Sequence, residues 1–409
     1  MASIDLNSLK KNFELKELEL NALLEITQSI NSNLPEDSLY KIFNFTLRAN
    51  LKIKKVALFV KDKKWECKVN FGTIKDFDNI SFNVGIFDFE GLESYEKSQF
   101  PDPFSEFEKV LPVRHKNNLL AIVFLGGNDQ EDYVNGMINT NFIQALSNII
   151  IVAIENKKLV RRELDQKAFQ KELEIARNVQ HFLFPKNLPY NQNLKIYSSY
   201  QPHQMVGGDY FDYIAINENK FLICIADVSG KGIPAALLMS NFQASLRTLI
   251  RQTTELEKIV KELNYQILQN SNGESFITFF AAIYNKKKKE LKYVNAGHNP
   301  PLFYSKDSDL IQLELGTTIL GIFDSLPFLK IGCMNNIDKW FFFAFTDGLI
   351  EVFNKNNEQF GIERVYNIIR NNLGNDLKSL HEKVLKKVNE FNGETSLNDD
   401  ITLLSCKFD

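Results

Sequence analysis

Four acidic positions stand where apolar runs stop or start, and carboxylates placed like that are suited to metal chemistry. The run Phe221-Leu222-Ile223-Cys224-Ile225-Ala226 ends abruptly in Asp227-Val228-Ser229-Gly230-Lys231-Gly232. Trp340-Phe341-Phe342-Phe343-Ala344-Phe345 ends likewise in Thr346-Asp347-Gly348, Asp399-Asp400 immediately precedes the strand-like 401–408, and Asp209 follows Val206-Gly207-Gly208 to open one more strand. A carboxylate at the end of a buried strand is costly unless paired with a cation, because desolvation disfavours its charged form. Several such ends converging in one sheet region make a hard, oxygen-only site that suits Mg²⁺ or Mn²⁺, and the lack of clustered His and Cys argues against zinc. Gly208, Gly230 and Gly348 allow tight turns beside three of the acids. Each acid-and-glycine pairing alone is an ordinary turn; the conjunction is the specific signal.

Elements must hold those acids in place. After Pro185 and Pro189 the texture is short strands with glycine-containing turns, a long helix over about 233–251, and others near 255–269, 362–371 and 377–391. The lysine run 286–289 lies between two strand-like segments, 278–284 and 291–295, and reads as a solvated hairpin tip. Upstream, residues to about Ser32 carry Leu9, Phe13, Leu20, Leu23, Leu24 and Ile30 at helical spacing, with Leu15, Leu18 and Ile26 off that stripe. A second helix from Glu36, strands over 56–60, 65–71 and 119–125, and a helix over 140–154 make an α/β domain. The stretch 77–112 has no steady period and reads as loops and short elements around a pocket, with its aromatics in the core. From Glu155 to Phe184 there is no Gly or Pro, so the helix runs on to Pro185. Phe169, Leu173, Ala176, Gln180 and Leu183 form a heptad seam along it. Two readings stay open: a helix packed on its own domain, or a parallel coiled coil joining two subunits.

A chain of 409 residues exceeds the ~100–200 usual for one domain, so two domains with connecting helices are expected. The 44% hydrophobic and 24% charged shares are ordinary for a globular protein, and the net charge of -3 with interspersed signs argues against nucleic-acid binding. Cys67, Cys224, Cys333 and Cys406 are too widely spaced for a zinc site or a CxxC pair. The N-terminus lacks the basic and apolar regions of a signal peptide, and the longest apolar runs fall far short of the ~20 residues that span a bilayer. A cytoplasmic protein without membrane contact is expected.

The ordered motifs Val206-Gly207-Gly208-Asp209-Tyr210-Phe211-Asp212, Ala226-Asp227-Val228-Ser229-Gly230-Lys231-Gly232-Ile233-Pro234-Ala235-Ala236, Asn295-Ala296-Gly297-His298-Asn299-Pro300-Pro301, Phe345-Thr346-Asp347-Gly348 and Asp399-Asp400-Ile401-Thr402-Leu403 resemble a known family. It is the SpoIIE/RsbU-like bacterial branch of the metal-dependent (PPM, type 2C) serine/threonine phosphatases, and the resemblance extends from about Arg162 to the end. It implies an α-β-β-α sandwich with two Mn²⁺ or Mg²⁺ ions. By position in the motifs, Asp227 and the Val228 carbonyl would bridge both ions, Asp347 and Asp399 would hold one, and Asp209 would serve the other directly or through water. Asp400 is either a ligand or a partner of one. The implied reaction is in-line attack of an activated water on phosphoserine or phosphothreonine. His298 is a candidate proton donor to the leaving oxygen, against which stands a structural turn. Lys231 is a candidate phosphate contact, against which stands plain exposure.

Residues 34–155 resemble a GAF-type sensory domain in the order of their elements, which gives a four-part plan: a helix over 1–33, the sensory domain over 34–155, a helical linker over 156–186 and a phosphatase domain over 187–409. The resemblance implies an anti-sigma-factor antagonist as the phosphoprotein substrate, a small-molecule or protein signal at the sensory domain, and a homodimer through the linker. The rival reading is a catalytically silent sensor or scaffold. A nucleotide cyclase or small-molecule phosphohydrolase is disfavoured, because no GxxxxGK[ST] loop is present.

Overall fold

The computed structural model describes residues 6–75, 77, 95–96, 104–116, 118–128, 139–271, 273–306, 309–393 and 398–409. The chain divides into two compact units, Met1–Lys167 and Ala168–Asp409.

The first unit is an antiparallel sheet of β1 (Lys55–Lys61), β2 (Trp65–Phe71), β3 (Tyr95–Glu96), β4 (Lys109–His115) and β5 (Asn118–Gly126), in the order β2-β1-β5-β4-β3. Its helices are α1 (Leu6–Asn31), α2 (Glu36–Phe45) and the start of α3 (Thr140–His181). Side chains alternate across a strand. Val56, Leu58, Val123 and Leu125 therefore share a core with Leu39 and Phe43 of α2 and with Ile143, Leu146 and Ile150 of α3. Phe59, Ile122 and Phe124 join Phe77, Phe104 and Phe107 in a second core. Phe104 stacks on Phe124 with ring centroids 4.5 Å apart. Phe77, Phe104 and Phe107 of 77–112 are thus core; the expected pocket-lining loops lie almost entirely outside the described residues.

The expected apolar face of α1 holds at Leu23 and Ile30, which pack against the core, and fails at Phe13, Leu20 and Leu24, which are exposed; Ile26, placed off the stripe, is fully buried with Ala22. The true stripe runs through Glu19, whose carboxylate takes an ion pair from Lys16 at 2.6 Å. An acid inside an apolar face disguised the period. The heptad seam is corrected at its C-terminal end as well. Gln180 is buried and Leu183 packs on the second unit's own core, so that end is used within the chain, while Phe169 is exposed.

The second unit has two antiparallel-rich sheets. The first contains β7 (Tyr210–Asn217), β8 (Lys220–Val228), β9 (Ile277–Asn285), β10 (Glu290–Ala296), β13 (Gly316–Thr317) and β14 (Gly332–Met334). The second runs β12 (Ile311–Gln312), β11 (Leu302–Ser305), β15 (Trp340–Phe345), β16 (Ile401–Phe408) and β6 (Leu194–Gln201). Helices α4 (Ile233–Gln252) and α5 (Leu256–Ser271) pack on the first sheet; α8 (Leu377–Asn392) packs on the second, beside α7 (Gly361–Arg370) and the one-turn α6 (Asp347–Ile350). Rings from both sheets meet between them, Phe280 on Phe342 at 5.5 Å and Phe221 on Trp340 at 6.3 Å. Strands buried on both faces explain the uninterrupted apolar runs of β8 and β15. The lysine run is the β9–β10 turn, as expected.

His381 of α8 spans two strands of the second sheet, with Nδ1 2.9 Å from the Ser199 hydroxyl and Nε2 2.7 Å from that of Ser405. Burial lowers its pKa from 6.5 to about 3. The folded protein therefore refuses a proton that the unfolded chain accepts: the stabilisation is complete above pH 6.5 and is lost progressively as pH falls toward 3. Denaturant unfolding at pH 7.5 and pH 5.0 should show the native chain losing about 2 kcal/mol more between those two pH values than His381→Gln does. Equal losses would contradict this account.

Candidate metal centre

The acids arrive at one place because strand ends of both sheets lie side by side. Asp209 precedes β7, Asp227 is the next-to-last residue of β8, Asp347 opens α6 directly after β15, and Asp399-Asp400 precede β16. Asp227, Asp399 and Asp400 line a small pocket together with His203, Gln204, Lys231, Gly208 and Gly230.

Each acid has a different neighbourhood. Asp209 is almost wholly buried, and its Oδ2 accepts hydrogen bonds from the hydroxyls of Thr346 at 2.9 Å and of Thr402. Those two threonines are themselves paired, the Thr402 N–H donating to Thr346 Oγ1 at 3.0 Å. Desolvation and the neighbouring Asp227 push the Asp209 carboxyl far up despite the hydroxyls. Asp227 is raised to about 7 by burial, then by Asp347, with Asp399 and Asp400 adding to it. Asp347 is raised by burial, then by Glu351 and Asp399. Asp400 uses both oxygens on backbone, taking the His203 N–H at 2.7 Å and the Gly208 N–H at 3.1 Å. Asp399 accepts the Asp400 N–H at 2.9 Å and pairs with Lys231 Nζ at 2.8 Å.

Glycine is required at Gly208, where a Cβ would come within 2.7 Å of the Val228 carbonyl oxygen, and at Gly230, which sits at φ +93°. The first brings the backbone beside Asp209 hard against the strand end that carries Asp227.

The donor set fits hard divalent cations. Burial and neighbouring acids raise the pKa of Asp227 and Asp347, so a bound dication would relieve the opposition to their ionisation. Among the described residues no three acid, imidazole or thiol side chains already converge on one metal-sized point. The carboxylates are held by hydroxyls, N–H groups and Lys231.

His298 is not in this pocket. It is buried beneath it, with Nδ1 2.8 Å from the Thr278 hydroxyl and its own N–H donating to Asn295 Oδ1 at 2.8 Å. Burial lowers its pKa to about 4, tempered by the Phe345 backbone, and Nε2 has no hydrogen-bond partner of good geometry among the described residues. A neutral, enclosed imidazole is a strut, and the imidazole at the pocket is that of His203.

Several contributors were invisible in the sequence. The Gln180 amide donates to the Gly207 carbonyl at 2.8 Å and its Oε1 accepts the Gly207 N–H at 3.3 Å, so the last turn of α3 clamps the residue two before Asp209. Phe184 stacks on Phe211 at 5.0 Å and tilts against Tyr200 at 5.2 Å. The Tyr200 hydroxyl lies buried near Asp400 and Asp209, without a hydrogen-bond partner among the described residues. Asp212, the second acid of the first motif, is taken up by Arg247 through Nε at 2.8 Å and Nη2 at 3.0 Å.

Two layered sheets flanked by helices, with aspartates gathered at their strand ends, define a metal-dependent phosphohydrolase of the PP2C kind. Residues 217–409 match the family described as Stage II sporulation protein E (SpoIIE). Phosphoserine phosphatase RsbU of Bacillus subtilis is 32% identical over 247 residues, covering 58% of this chain and 70% of RsbU. Protein IcfG of Synechocystis is 23% identical over 306 residues, and the chain spans only 46% of its length. Among solved structures, the SiaA-PP2C domain of Pseudomonas aeruginosa superposes with a TM-score of 0.53 at 22% identity, covering 60% of this chain and 99% of that domain, a likeness of fold. The chain belongs to the SpoIIE/RsbU-like family of metal-dependent protein serine/threonine phosphatases. Among the described residues no helix is long and apolar enough to cross a membrane.

Asp227 gives the centre a signature. Its folded pKa lies above its ordinary value, so the stability it allows at low pH is lost as pH rises toward and through about 7. At pH 8 without metal, Asp227→Asn should melt several degrees higher than the native chain, and Mn²⁺ should raise the melting temperature of the native chain far more than that of the variant. A variant that melts lower, or responds equally to Mn²⁺, would refute the assignment.

Proposed function

We propose that the chain dephosphorylates a phosphoserine or phosphothreonine protein using two Mn²⁺ or Mg²⁺ ions, and that the substrate is an anti-sigma-factor antagonist of a partner-switching pathway. The observation that carries the reading is the gathering of carboxylates from four strand ends, in which Asp209, Asp227 and Asp347 are each opposed in their ionisation by burial and by neighbouring acids. The likeness to RsbU, a phosphoserine phosphatase, supports the substrate class. Asp227 and the Val228 carbonyl would be shared by both ions, Asp347 and Asp399 would hold one, and Asp209 would serve the other through water, since both threonine hydroxyls occupy its Oδ2. Asp400 acts as the support that fixes the 203–208 loop through two N–H groups, rather than as a ligand. When bound, the paired dications supply an activated water and neutralise charge on the phosphoryl oxygens. The protein's share is to hold in register acids whose ionisation burial opposes, so that bound cations would stabilise their charged form, with His298 bonded to Thr278 of β9 beside Asp227.

The rival is a silent scaffold, and the separation of the acids onto other partners is the observation in its favour. Phosphate release from a phosphoserine peptide, titrated with Mn²⁺, decides between them. The native chain should turn over, Asp227→Asn and Asp347→Asn should not, and Asp400→Asn should need about 10–100-fold more Mn²⁺. A native chain inactive at every Mn²⁺ concentration would sink the enzyme reading.

Regulation follows from continuity. A GAF-like domain over 34–155, a linker over 156–186 and a catalytic domain over 187–409 are supported by the five-stranded sheet of the first unit and by α3, which begins in that unit and ends at the Gln180 clamp in the second. A signal bound by the first unit would shift the linker and hence the loop before Asp209, with dimerisation through the exposed apolar residues of α3 as the natural assembly. The intact chain and residues 168–409 should differ in Mn²⁺ affinity or turnover; identical values would remove the regulatory role.

A further inference from the structure

Lys231 is the one lysine or arginine that lines the pocket among the described residues, and it stands between two glycines. Gly230 and Gly232 flank it at φ +93° and +70°, and a Cβ at Gly230 would meet nothing within 4 Å. Its ammonium lies 2.8 Å from Asp399 Oδ2 and donates to the Asn398 carbonyl. Asp400 and Asp347 also attract it. Yet the pair is loose: the Lys231 side chain is 45% exposed and that of Asp399 38%. An ion pair that exposed contributes little stability and exchanges readily. Asp399 is also a carboxylate that the proposed function gives to a metal ion, and a dication and an ammonium cannot share one oxygen without strong repulsion.

We infer that Lys231 is a displaceable internal counter-ion, which neutralises Asp399 in the metal-free protein and, once a dication takes that carboxylate, turns to the phosphoryl oxygens of the substrate. The inference rests on the phosphatase reading but adds an exchange of partners to it. The lysine keeps the acidic cluster from spreading further when empty, and its release makes the phosphate-binding charge available only after the metal is in place. Lys231 is on this account a residue that touches substrate late and the metal site early.

The test is calorimetric titration of the full chain with MnCl₂, paired with hydrolysis kinetics on a phosphoserine peptide. Lys231→Met should tighten the weaker Mn²⁺ site about two- to fivefold, the worth of an exposed ion pair. It should also raise KM for the peptide about tenfold, as expected for a lost charge-assisted contact to phosphate. Lys231→Arg should return both values toward those of the native chain. In an Asp399→Asn background, Lys231→Met should leave the remaining Mn²⁺ affinity unchanged, because the pair is already gone. An unaltered Mn²⁺ isotherm, or a tighter site with no rise in KM, overturns the exchange while the phosphatase reading stands. A native chain that takes up no Mn²⁺ overturns both.

Discussion

The carboxylate of Asp209, buried between two sheets and gripped by the hydroxyls of Thr346 and Thr402, is the constraint around which the second unit is arranged. Asp209 leads into the first sheet, while the threonines belong to the second. The bonds therefore tie the sheets together at their active ends. A carboxyl group so enclosed is tolerated only if its oxygens are used. One is spent on the threonines, and the other faces Asp227, whose own ionisation is opposed by burial and by three further acids. The stored repulsion is what a cation would relieve.

The surrounding acids show how a protein keeps such a cluster folded. Asp400 is divided between two backbone N–H groups, Asp399 between an N–H group and Lys231, and Asp209 between two hydroxyls. Only Asp399 meets a full counter-ion, in Lys231; Asp209 and Asp400 receive neutral donors alone. The loop from His203 to Gly208 is then fixed from two directions. Asp400 holds it from the second sheet, and Gln180 holds Gly207 from the end of α3. With Phe184 packed on Tyr200 and Phe211, the last turn of α3 touches both the loop and the strands that follow it. Any displacement of that turn must be felt at Asp209, because close-packed contacts have no slack to absorb it.

The strand ends were legible because an apolar run broken by an acid is a local pattern, and the sandwich of the second unit was what the family resemblance of five ordered motifs implied. The helices there were found within a residue or two, since glycine and polar breaks mark their ends. Long-range register was not legible. Nothing near Gln180, Thr346, Thr402 or Tyr200 says that they meet the 207–209 segment; those meetings depend on which strand pairs with which. The face of α1 was read only in part for a different reason, because the buried positions include an acid, Glu19, which pairs with Lys16. His298 shared a motif with glycine and asparagine, and the sequence could not decide whether its ring faced solvent or core.

Strand parity distinguishes the two acids of the first motif, and the distinction generalises. Asp209 and Asp212 are three residues apart, so a two-residue period puts them on opposite faces of β7 and its lead-in. Tyr210 and Asp212 share one face: the tyrosine hydroxyl donates to Asp212 at 2.5 Å, the Tyr210 ring meets Phe242 of α4, and Arg247 from the same helix completes the pair. Asp209 and Phe211 belong to the other face, where Phe211 meets Phe184 and Asp209 meets threonines of the second sheet. One acid is thus neutralised by a guanidinium and becomes a bolt between helix and sheet. The other receives only neutral donors, and so remains the acid that still needs a cation. In a crowded acidic motif the carboxylate with an arginine answers to the fold, and the one denied an arginine is left for chemistry.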